Sequence, residues 1–132
     1  MEIFRSSRTD RPIFNKKGVC KIAGKSKDGG DCVFELRRST WEDHILRERT
    51  RWYLKGQFNK VVETLANPDY ILQSPKEQNV ANYVKRYDDL HILNTIMARA
   101  YLYVLVNLNN NNIRTVYSNP GLKEWARLWP KK

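Results

Sequence analysis

The sequence predicts an α+β fold in which an N-terminal β-hairpin is followed by two helices and then by an antiparallel β-sheet. Apolar and polar residues alternate near both ends of the chain, as on strands with one buried face. In the middle, apolar residues recur at the three- and four-residue spacing of helices. The 132 residues suit one compact domain. We divide it into a hairpin region, a helical region, a sheet and a C-terminal tail, at residues 1–38, 39–67, 69–118 and 119–132.

The hairpin is predicted from two apolar-rich runs, residues 13–23 and 32–36, on either side of a polar connector with two adjacent glycines. The register of this hairpin decides where the two cysteines lie. A turn centred near Ser26 places Cys20 opposite Cys32, whereas a two-residue turn at the Asp-Gly step further along separates them. The spacing matches no zinc signature, so we expect reduced thiols rather than metal ligands.

Two helices are predicted in the middle of the chain. The first begins near residue 41, after a Ser-Thr pair that can supply an N-cap hydroxyl, and it places Trp41, Ile45 and Trp52 on one side. The second has its apolar residues at positions 58, 61, 62 and 65, and the Asn-Pro step at positions 67 and 68 ends it.

The period of two returns in the second half of the chain. Strands are predicted at residues 70–72, 80–87, 100–108 and 113–118. Residues 90–97 fit either a helix or a strand, and the four consecutive asparagines at 109–112 indicate a turn. In the last strand Ile113, Thr115 and Tyr117 should share one face. Residues 122–128 are expected to form a short helix that carries Trp125.

The charge of the chain favours a polyanionic partner. It carries 24 Lys+Arg against 14 Asp+Glu, a formal net charge of +10. Residues 1–40 hold 10 basic and 5 acidic residues, residues 99–132 hold 6 and 1, and the middle is nearly neutral. Cations near phosphates release condensed counterions, which indicates nucleic acid, although a basic surface can also serve solubility alone. Since no apolar run reaches the ~20 residues of a membrane span and no signal peptide is visible, we expect a soluble protein that acts in the cytoplasm and binds no membrane.

His44 is the first candidate for chemistry. The helical spacing places it at the edge of the buried side of the first helix, with Arg47 and Arg51 three and seven residues further on. An imidazole can take or give a proton near neutral pH, and guanidinium groups can hold a phosphate. Cleavage of RNA without a metal ion needs these groups. A packing or capping histidine with solvated arginines is the competing interpretation.

Two strands carry further candidates. Lys85 and Arg86 form a basic pair between two tyrosines, whose rings can stack on bases or pack against the helices. Thr115 and Tyr117 can hydrogen-bond a phosphate, or they can simply be good strand formers. The competing chemistry is a metal-dependent nuclease, since Asp31 with Glu35 and Arg37 loosely matches an acid–x–basic pattern, although arginine stands where lysine is usual.

The order of five short sequence runs between residues 32 and 117 is informative about the fold and function. They are the Trp-Glu-Asp-His-Ile run at 41–45, the helix end Asn-Pro-Asp at 67–69, the strands around 83–87 and 101–106, and Thr-x-Tyr at 115–117. In this order they resemble the phage-type branch of the barnase–EndoU–colicin–RelE (BECR) ribonuclease and toxin superfamily.

This resemblance implies a BECR-like fold and a metal-independent endoribonuclease, often a toxin that cleaves tRNA or other RNA and is restrained by a cognate antitoxin or immunity protein. The 2′-OH would attack the adjacent phosphate and leave a 2′,3′-cyclic phosphate and a 5′-OH, with no metal or cofactor. The catalytic residues would be His44, Lys85, Thr115 and Tyr117, and the RNA-binding residues would be Arg47, Arg51, Arg86 and Arg114.

The chain departs from that family in one respect, because no second histidine follows shortly after His44. Either one histidine serves both proton transfers, or Arg49 substitutes electrostatically, or the chain is inactive. The alternative function is a non-catalytic basic module that binds nucleic acid, and another is an interaction protein that docks through Trp125 and Trp129. The sequence also leaves open whether the chain acts alone or is delivered within a larger secreted toxin.

Overall fold

The computed structural model describes residues 3–4, 11–46, 54, 56–92 and 96–130. Over these residues the protein has an α+β fold, as the sequence predicts. One eight-stranded sheet is accompanied by one α-helix and one short π-helical segment within the described part of the chain.

The elements follow the predicted order closely. The strands are β1 (Ile3–Phe4), β2 (Val19–Lys25), β3 (Asp31–Arg37), β4 (Tyr70–Gln73), β5 (Val80–Ile92), β6 (Ile96–Asn107), β7 (Asn112–Asn119) and β8 (Arg127–Trp129). The helical elements are the π-helical segment Thr40–Ile45 and the helix α1, Phe58–Ala66. The ambiguous stretch at residues 90–97 therefore belongs to strands at both of its ends.

The sheet has the strand order β1-β2-β3-β7-β6-β5-β4-β8. Strands β4 to β8 pair in the antiparallel way that the sequence predicts, and so do β2 and β3. The first hairpin joins the same sheet through a short parallel pairing, in which Glu35 of β3 lies beside Asn112 of β7. The strands β1 and β2 are also parallel. The sheet is therefore mixed rather than antiparallel throughout.

The sheet curls around α1. This helix contacts β2, β5 and β6, although three strands separate β2 from β5 in the sheet. Tyr83 on β5 donates a hydrogen bond to the carbonyl oxygen of Lys25 on β2, at 2.6 Å. The ammonium group of Lys25 also lies 4.3 Å from the ring centroid of Trp129 on β8. The curl thus brings the first hairpin against the last strand, and with them the basic segments from both ends of the chain.

The side of the sheet that faces α1, which we call the inner face, carries the main core. This core includes the four apolar residues of α1 that its spacing predicts, Phe58, Val61, Val62 and Leu65. Trp41 and Ile45 of the π-helical segment are buried in the same core, and the Trp41 ring packs edge-on against Phe58 with centroids 5.5 Å apart. The π-helical segment therefore lies on the same side of the sheet as α1.

The opposite side, the outer face, carries a smaller aromatic cluster. Its buried residues are Leu72, Val84 and Tyr103, and the partly buried residues around them are Tyr70, Tyr101, Tyr117, Leu122 and Trp125. A sheet with one face under a helix and a second, half-covered face is typical of α+β folds.

The hairpin register separates the cysteines. Cys20 lies opposite Leu36, and Cys32 lies opposite Gly24, so the turn is centred between the two alternatives considered from sequence. Both cysteines are free thiols, as expected. Burial raises the pKa of the Cys20 thiol to about 11, because the apolar core disfavours a thiolate.

Two sequence predictions of helices need correction. Residues 122–128 are not helical, because the hydroxyl of Tyr103 donates to the carbonyl of Gly121 and accepts from the N–H of Lys123, at 3.1 and 2.8 Å. These bonds tie the segment to the outer face, and the chain continues as β8. The first helix appears as a π-helical segment without a capping hydrogen bond from Ser39, and residues 47–53 lie outside the described residues.

Candidate nucleic-acid interface

His44 is exposed on the π-helical segment. The segment is fixed by its buried neighbours Trp41 and Ile45 and by a hydrogen bond from the N–H of Leu46 to the carbonyl of Trp41, at 2.8 Å. The imidazole is therefore accessible on the same side of the sheet as α1. Wider helical turns of this kind often occur at functional sites.

A polar cleft of about 330 Å³ adjoins this segment. The cations that line it are Lys17, Arg37 and Arg38, and the acids are Glu42 and Asp43. Asp43 directly precedes His44 in the chain. The cleft can hold an anion through its cations, and its two carboxylates reduce that attraction.

The ammonium group of Lys85 makes structural contacts on the inner face. It donates to the carbonyl oxygen of Asn67 at the end of α1, at 3.0 Å, and lies 3.7 Å from the Asp69 carboxylate. The neighbouring tyrosines are also internal, since Tyr83 is 1% exposed and Tyr87 is 9% exposed. Both rings therefore pack in the core, and the expectation that they could stack on bases is not met.

Thr115 and Tyr117 lie on the outer face. Thr115 pairs with Leu105 and Tyr117 pairs with Tyr103, whereas Lys85 pairs with Leu102 of the main core. Residues that are an odd number of positions apart on a regular strand point to opposite faces. The structure thus divides the four predicted catalytic residues, with His44 and Lys85 on the helix side and Thr115 and Tyr117 on the other.

The last strand contains a β-bulge that the sequence did not reveal. Ile113 pairs with Val106 and Thr115 pairs with Leu105, so Arg114 is the additional residue on β7. Ile113 is consequently buried in the inner core while Thr115 and Tyr117 face outward. The prediction that all three share one face is wrong because the bulge shifts the alternation by one residue.

The predicted RNA-binding arginines have different environments. Arg47 and Arg51 lie outside the described residues. Arg86 is exposed and pairs with Asp88 at 3.4 Å, and Arg114 is bound to the Glu77 carboxylate at 2.6 Å. Since exposed ion pairs of this kind are weak, a phosphate can compete for either guanidinium group.

The outer face carries a set of aromatic residues. Sequence reasoning named Tyr117 as catalytic and Trp125 as a docking residue but did not group these rings into one site. The rings of Tyr103 and Tyr117 are stacked, with centroids 4.9 Å apart and planes 9° from parallel. Trp125 meets Tyr103 edge-on at 6.2 Å. Tyr70 and Tyr101 lie on the same face and, like Tyr117 and Trp125, are half-buried. The alternation of Tyr101 and Tyr103 was the available signal in the sequence.

Cations flank these rings. The guanidinium of Arg127 lies 4.8 Å from the Tyr70 centroid, and the Lys123 ammonium lies 5.8 Å from the Trp125 centroid. At the adjoining edge of the sheet, Lys25 lies over Trp129. Aromatic rings interleaved with cations can bind unpaired bases and the phosphates between them. We call Tyr70, Tyr101, Tyr117, Trp125, Lys123 and Arg127 the outer aromatic surface.

Neither a metal site nor a membrane segment appears in the residues that the structure describes. These residues contain no group of three or more His, Cys, Asp or Glu side chains arranged to hold a metal ion. No helix within them is both long and apolar enough to cross a bilayer. Comparison with protein-family models, with curated proteins and with solved structures finds no significant match to this chain.

Proposed function

We propose that this protein binds single-stranded RNA through the outer aromatic surface. One observation carries the proposal. Half-buried aromatic rings lie together on one sheet face, and the cations Lys123 and Arg127 lie against two of them. Stacking of bases on such rings requires unpaired nucleotides, which favours single strands over duplexes. The net charge of +10 supplies long-range attraction to phosphates.

The binding test uses a fluorescent 12-nucleotide RNA and measures anisotropy at several salt concentrations. Tyr101→Ala removes one stacking ring and should weaken binding roughly ten- to hundredfold. Arg127→Gln should lower the dependence on salt by the equivalent of about one phosphate contact. Lys16→Gln is the matched control, because it removes one exposed cation that does not belong to the outer aromatic surface. Unchanged affinity in both Tyr101→Ala and Arg127→Gln rejects this surface as the RNA site.

A second candidate function is the metal-independent endoribonuclease that the sequence resemblance implies. The observation that favours it is the exposed imidazole of His44, on a segment whose preceding residues Glu42 and Asp43 line a cleft with three cations. In this proposal His44 transfers the proton during attack of the 2′-OH on the phosphate, and Arg37 and Arg38 hold the phosphate. Thr115 and Tyr117 would contribute to RNA binding on the outer face, and Lys85 would have to leave Asn67 to act directly.

Activity is tested by incubating the protein with total RNA, with and without EDTA, and by mapping the ends of any fragments. Fragments that carry 2′,3′-cyclic phosphates and persist in EDTA are the expected products. His44→Ala should reduce cleavage by about 10²-fold or more, while His91→Ala, the change at the other histidine, should not. If the RNA stays intact under all conditions, the enzymatic proposal is rejected and the binding proposal stands.

The toxin role belongs to this second proposal. A ribonuclease that acts in the cytoplasm on tRNA or other cellular RNA would stop growth when expressed. A cognate antitoxin or immunity protein would relieve that arrest. Growth arrest that disappears with His44→Ala supports this role, whereas arrest that persists in that variant contradicts it.

A further inference from the structure

A cavity of about 290 Å³ lies where three turns of the sheet meet. It is bordered by residues 26–28 of the first hairpin, by residues 78–79 before β5 and by residues 108, 109 and 111 between β6 and β7. Cys32 and Tyr83 reach it from the inner face. The cavity is separate from the outer aromatic surface, since none of the residues of that surface lines it.

The asparagines in and just before the turn at residues 109–112 lie in two different environments. The side-chain oxygens of Asn107 and Asn110 accept hydrogen bonds from the N–H groups of Asn109 and Asn112, at 2.9 and 3.0 Å. Asn110 and the preceding Asn107 therefore build the turn. Asn109 and Asn111 instead line the cavity. The turn also accounts for an asparagine at position 111, where the backbone has φ of 57°, but it does not require an amide at position 109.

The opposite wall is held in place by Gln73. Its side-chain nitrogen lies 3.0 Å from the carbonyl oxygens of both Glu77 and Gln78, which ties the loop before β5 into one shape. Gln78 and Asn79 of this loop border the cavity. Residues with amide side chains thus border the cavity from two fixed turns, and a site with fixed walls binds a ligand at a lower entropic cost.

We infer that this cavity binds a nucleobase. An amide presents a donor and an acceptor side by side, which matches the alternating donors and acceptors on the edge of a base. The volume of about 290 Å³ lies just below the range for pockets that bind drug-sized molecules, which suits a smaller ligand of nucleoside size. Lys27 at the rim can meet a phosphate that is attached to the base. A base presented within single-stranded RNA rests on the proposed function, whereas a free nucleotide does not.

The experiment titrates the full chain with adenosine, guanosine, cytidine and uridine and follows the amide signals of residues 108–111 by NMR. At least one nucleoside should shift these signals in a saturable way. The double variant Asn109→Ala/Asn111→Gly should weaken that binding at least tenfold. Glycine suits position 111 because the backbone there has φ of 57°, so the turn is kept while the amide is removed. Asn110→Ser is the control, since serine retains an oxygen that can serve the turn.

A second readout uses the thiol of Cys32. Because Cys32 lines the cavity and is half-buried, a bound nucleoside should slow its reaction with a maleimide at least threefold. Cys20 is 1% exposed and is the internal reference. Cys32→Ser identifies the reacting group. Equal reaction rates with and without saturating nucleoside, together with unshifted NMR signals, overturn the inference.

The arms of the experiment separate this inference from the proposed function. Binding of nucleosides that is lost in the double variant upholds the cavity even if the RNA 12-mer does not bind. If the 12-mer binds but neither free nucleosides nor the RNA perturb residues 108–111 and Cys32, the nucleobase cavity is rejected while the outer surface stands. If the RNA alone perturbs these residues, and the double variant abolishes that change, the base comes from RNA rather than from a free nucleotide.

Discussion

The ammonium group of Lys85 donates a hydrogen bond to the carbonyl oxygen of Asn67, at 3.0 Å, at the point where α1 ends. The last carbonyl groups of a helix have no partner within the helix, and a cation there also complements the helix dipole. The Asp69 carboxylate approaches the same ammonium at 3.7 Å and accepts a hydrogen bond from the N–H of Arg86, at 2.8 Å. Lys85 thus joins β5 to the C-terminus of the helix.

A structural role for Lys85 predicts that Lys85→Met lowers the free energy of unfolding by about 1 kcal/mol, because the donor is lost while the apolar stem remains. Urea denaturation measures the change. Lys76→Met, at an exposed loop position, should leave stability nearly unchanged. A loss of RNA binding or cleavage in Lys85→Met at full stability would instead place Lys85 in the functional site.

Gly24 lies where β2 passes closest to α1. A Cβ atom at this position would stand 2.5 Å from a ring carbon of Phe34 and 2.6 Å from the carbonyl oxygen of Leu65. Neither neighbour is free to move, since Phe34 is buried and the oxygen belongs to the helix backbone. We expect Gly24→Ala to destabilise the protein by about 3 kcal/mol.

Gly30→Ala is the matched control for this substitution. In the same hairpin, a Cβ on Gly30 would meet nothing nearer than the Ser26 hydroxyl, at 3.7 Å. Thermal unfolding should therefore show a large fall in melting temperature for Gly24→Ala and a small change for Gly30→Ala. Similar melting temperatures for the two variants would contradict the close approach of β2 and α1.

Tyr87 connects β5 to α1 through its hydroxyl group. The hydroxyl oxygen lies 2.9 Å from the Glu63 carboxylate and 3.0 Å from the carbonyl oxygen of Lys60. Burial raises the pKa of this hydroxyl, so it remains a donor throughout the neutral range. Tyr87→Phe should lower the free energy of unfolding by about 1–2 kcal/mol, as measured by chemical denaturation.

Tyr101→Phe tests the same chemical change on the other side of the sheet. Tyr101 is half-buried on the outer face, whereas Tyr87 is buried in the main core. We expect the stability of this variant to change by less than about 0.5 kcal/mol. An equal loss in both variants would show that the hydroxyl of Tyr87 has no special partner in α1.

Because the pKa of the Cys20 thiol is raised, we expect the protein to lose stability at alkaline pH. This pKa is raised from 9.0 to about 11 by burial, so the folded protein holds the proton more tightly than the unfolded chain does. The associated stability is complete below pH 9.0 and is lost as the pH rises to about 11. The loss should be about 3 kcal/mol, since the shift is about two pKa units and each unit corresponds to about 1.4 kcal/mol.

Comparison of the wild type with Cys20→Ala isolates this contribution. The variant is less stable at pH 7 because a buried side chain is shortened, but its stability should fall less steeply between pH 9 and 11. Tyr83 and Tyr87, whose pKa values are also raised by burial, affect both proteins equally. Parallel pH profiles for the two proteins would show that Cys20 does not titrate abnormally.

Local sequence patterns predicted most elements of this fold, because the tendency to form a helix or a hairpin depends mainly on neighbouring residues. The spacing of Phe58, Val61, Val62 and Leu65 defines a helix with one apolar side whatever it packs against, and the structure contains that helix. The glycine-rich connector after β2 defines a hairpin for the same reason. The segment at residues 122–128 was predicted wrongly because its backbone bonds to Tyr103, a residue about twenty positions away.

Local sequence patterns could not predict how the residues of the candidate site are arranged in space. The sequence identified His44 as a candidate at the edge of the buried side of a helix, but its position relative to the strands follows from their order in the sheet. The bulge at Arg114 turned Thr115 and Tyr117 to the outer face, away from Lys85. No period-two pattern reveals an inserted residue, because the bulge is defined by the partner strand.

The sequence by itself determined the α+β composition, the helix α1, the strands β2 to β7 and the basic character of the chain, since propensity, periodicity and charge depend only on near neighbours. Tertiary structure alone decided that the two basic ends meet, through the contact of Lys25 with Trp129, and that aromatic rings gather on the outer face. Both features arise from the pairing and curling of strands far apart in the chain, and such pairing is fixed only when the whole sheet buries its core.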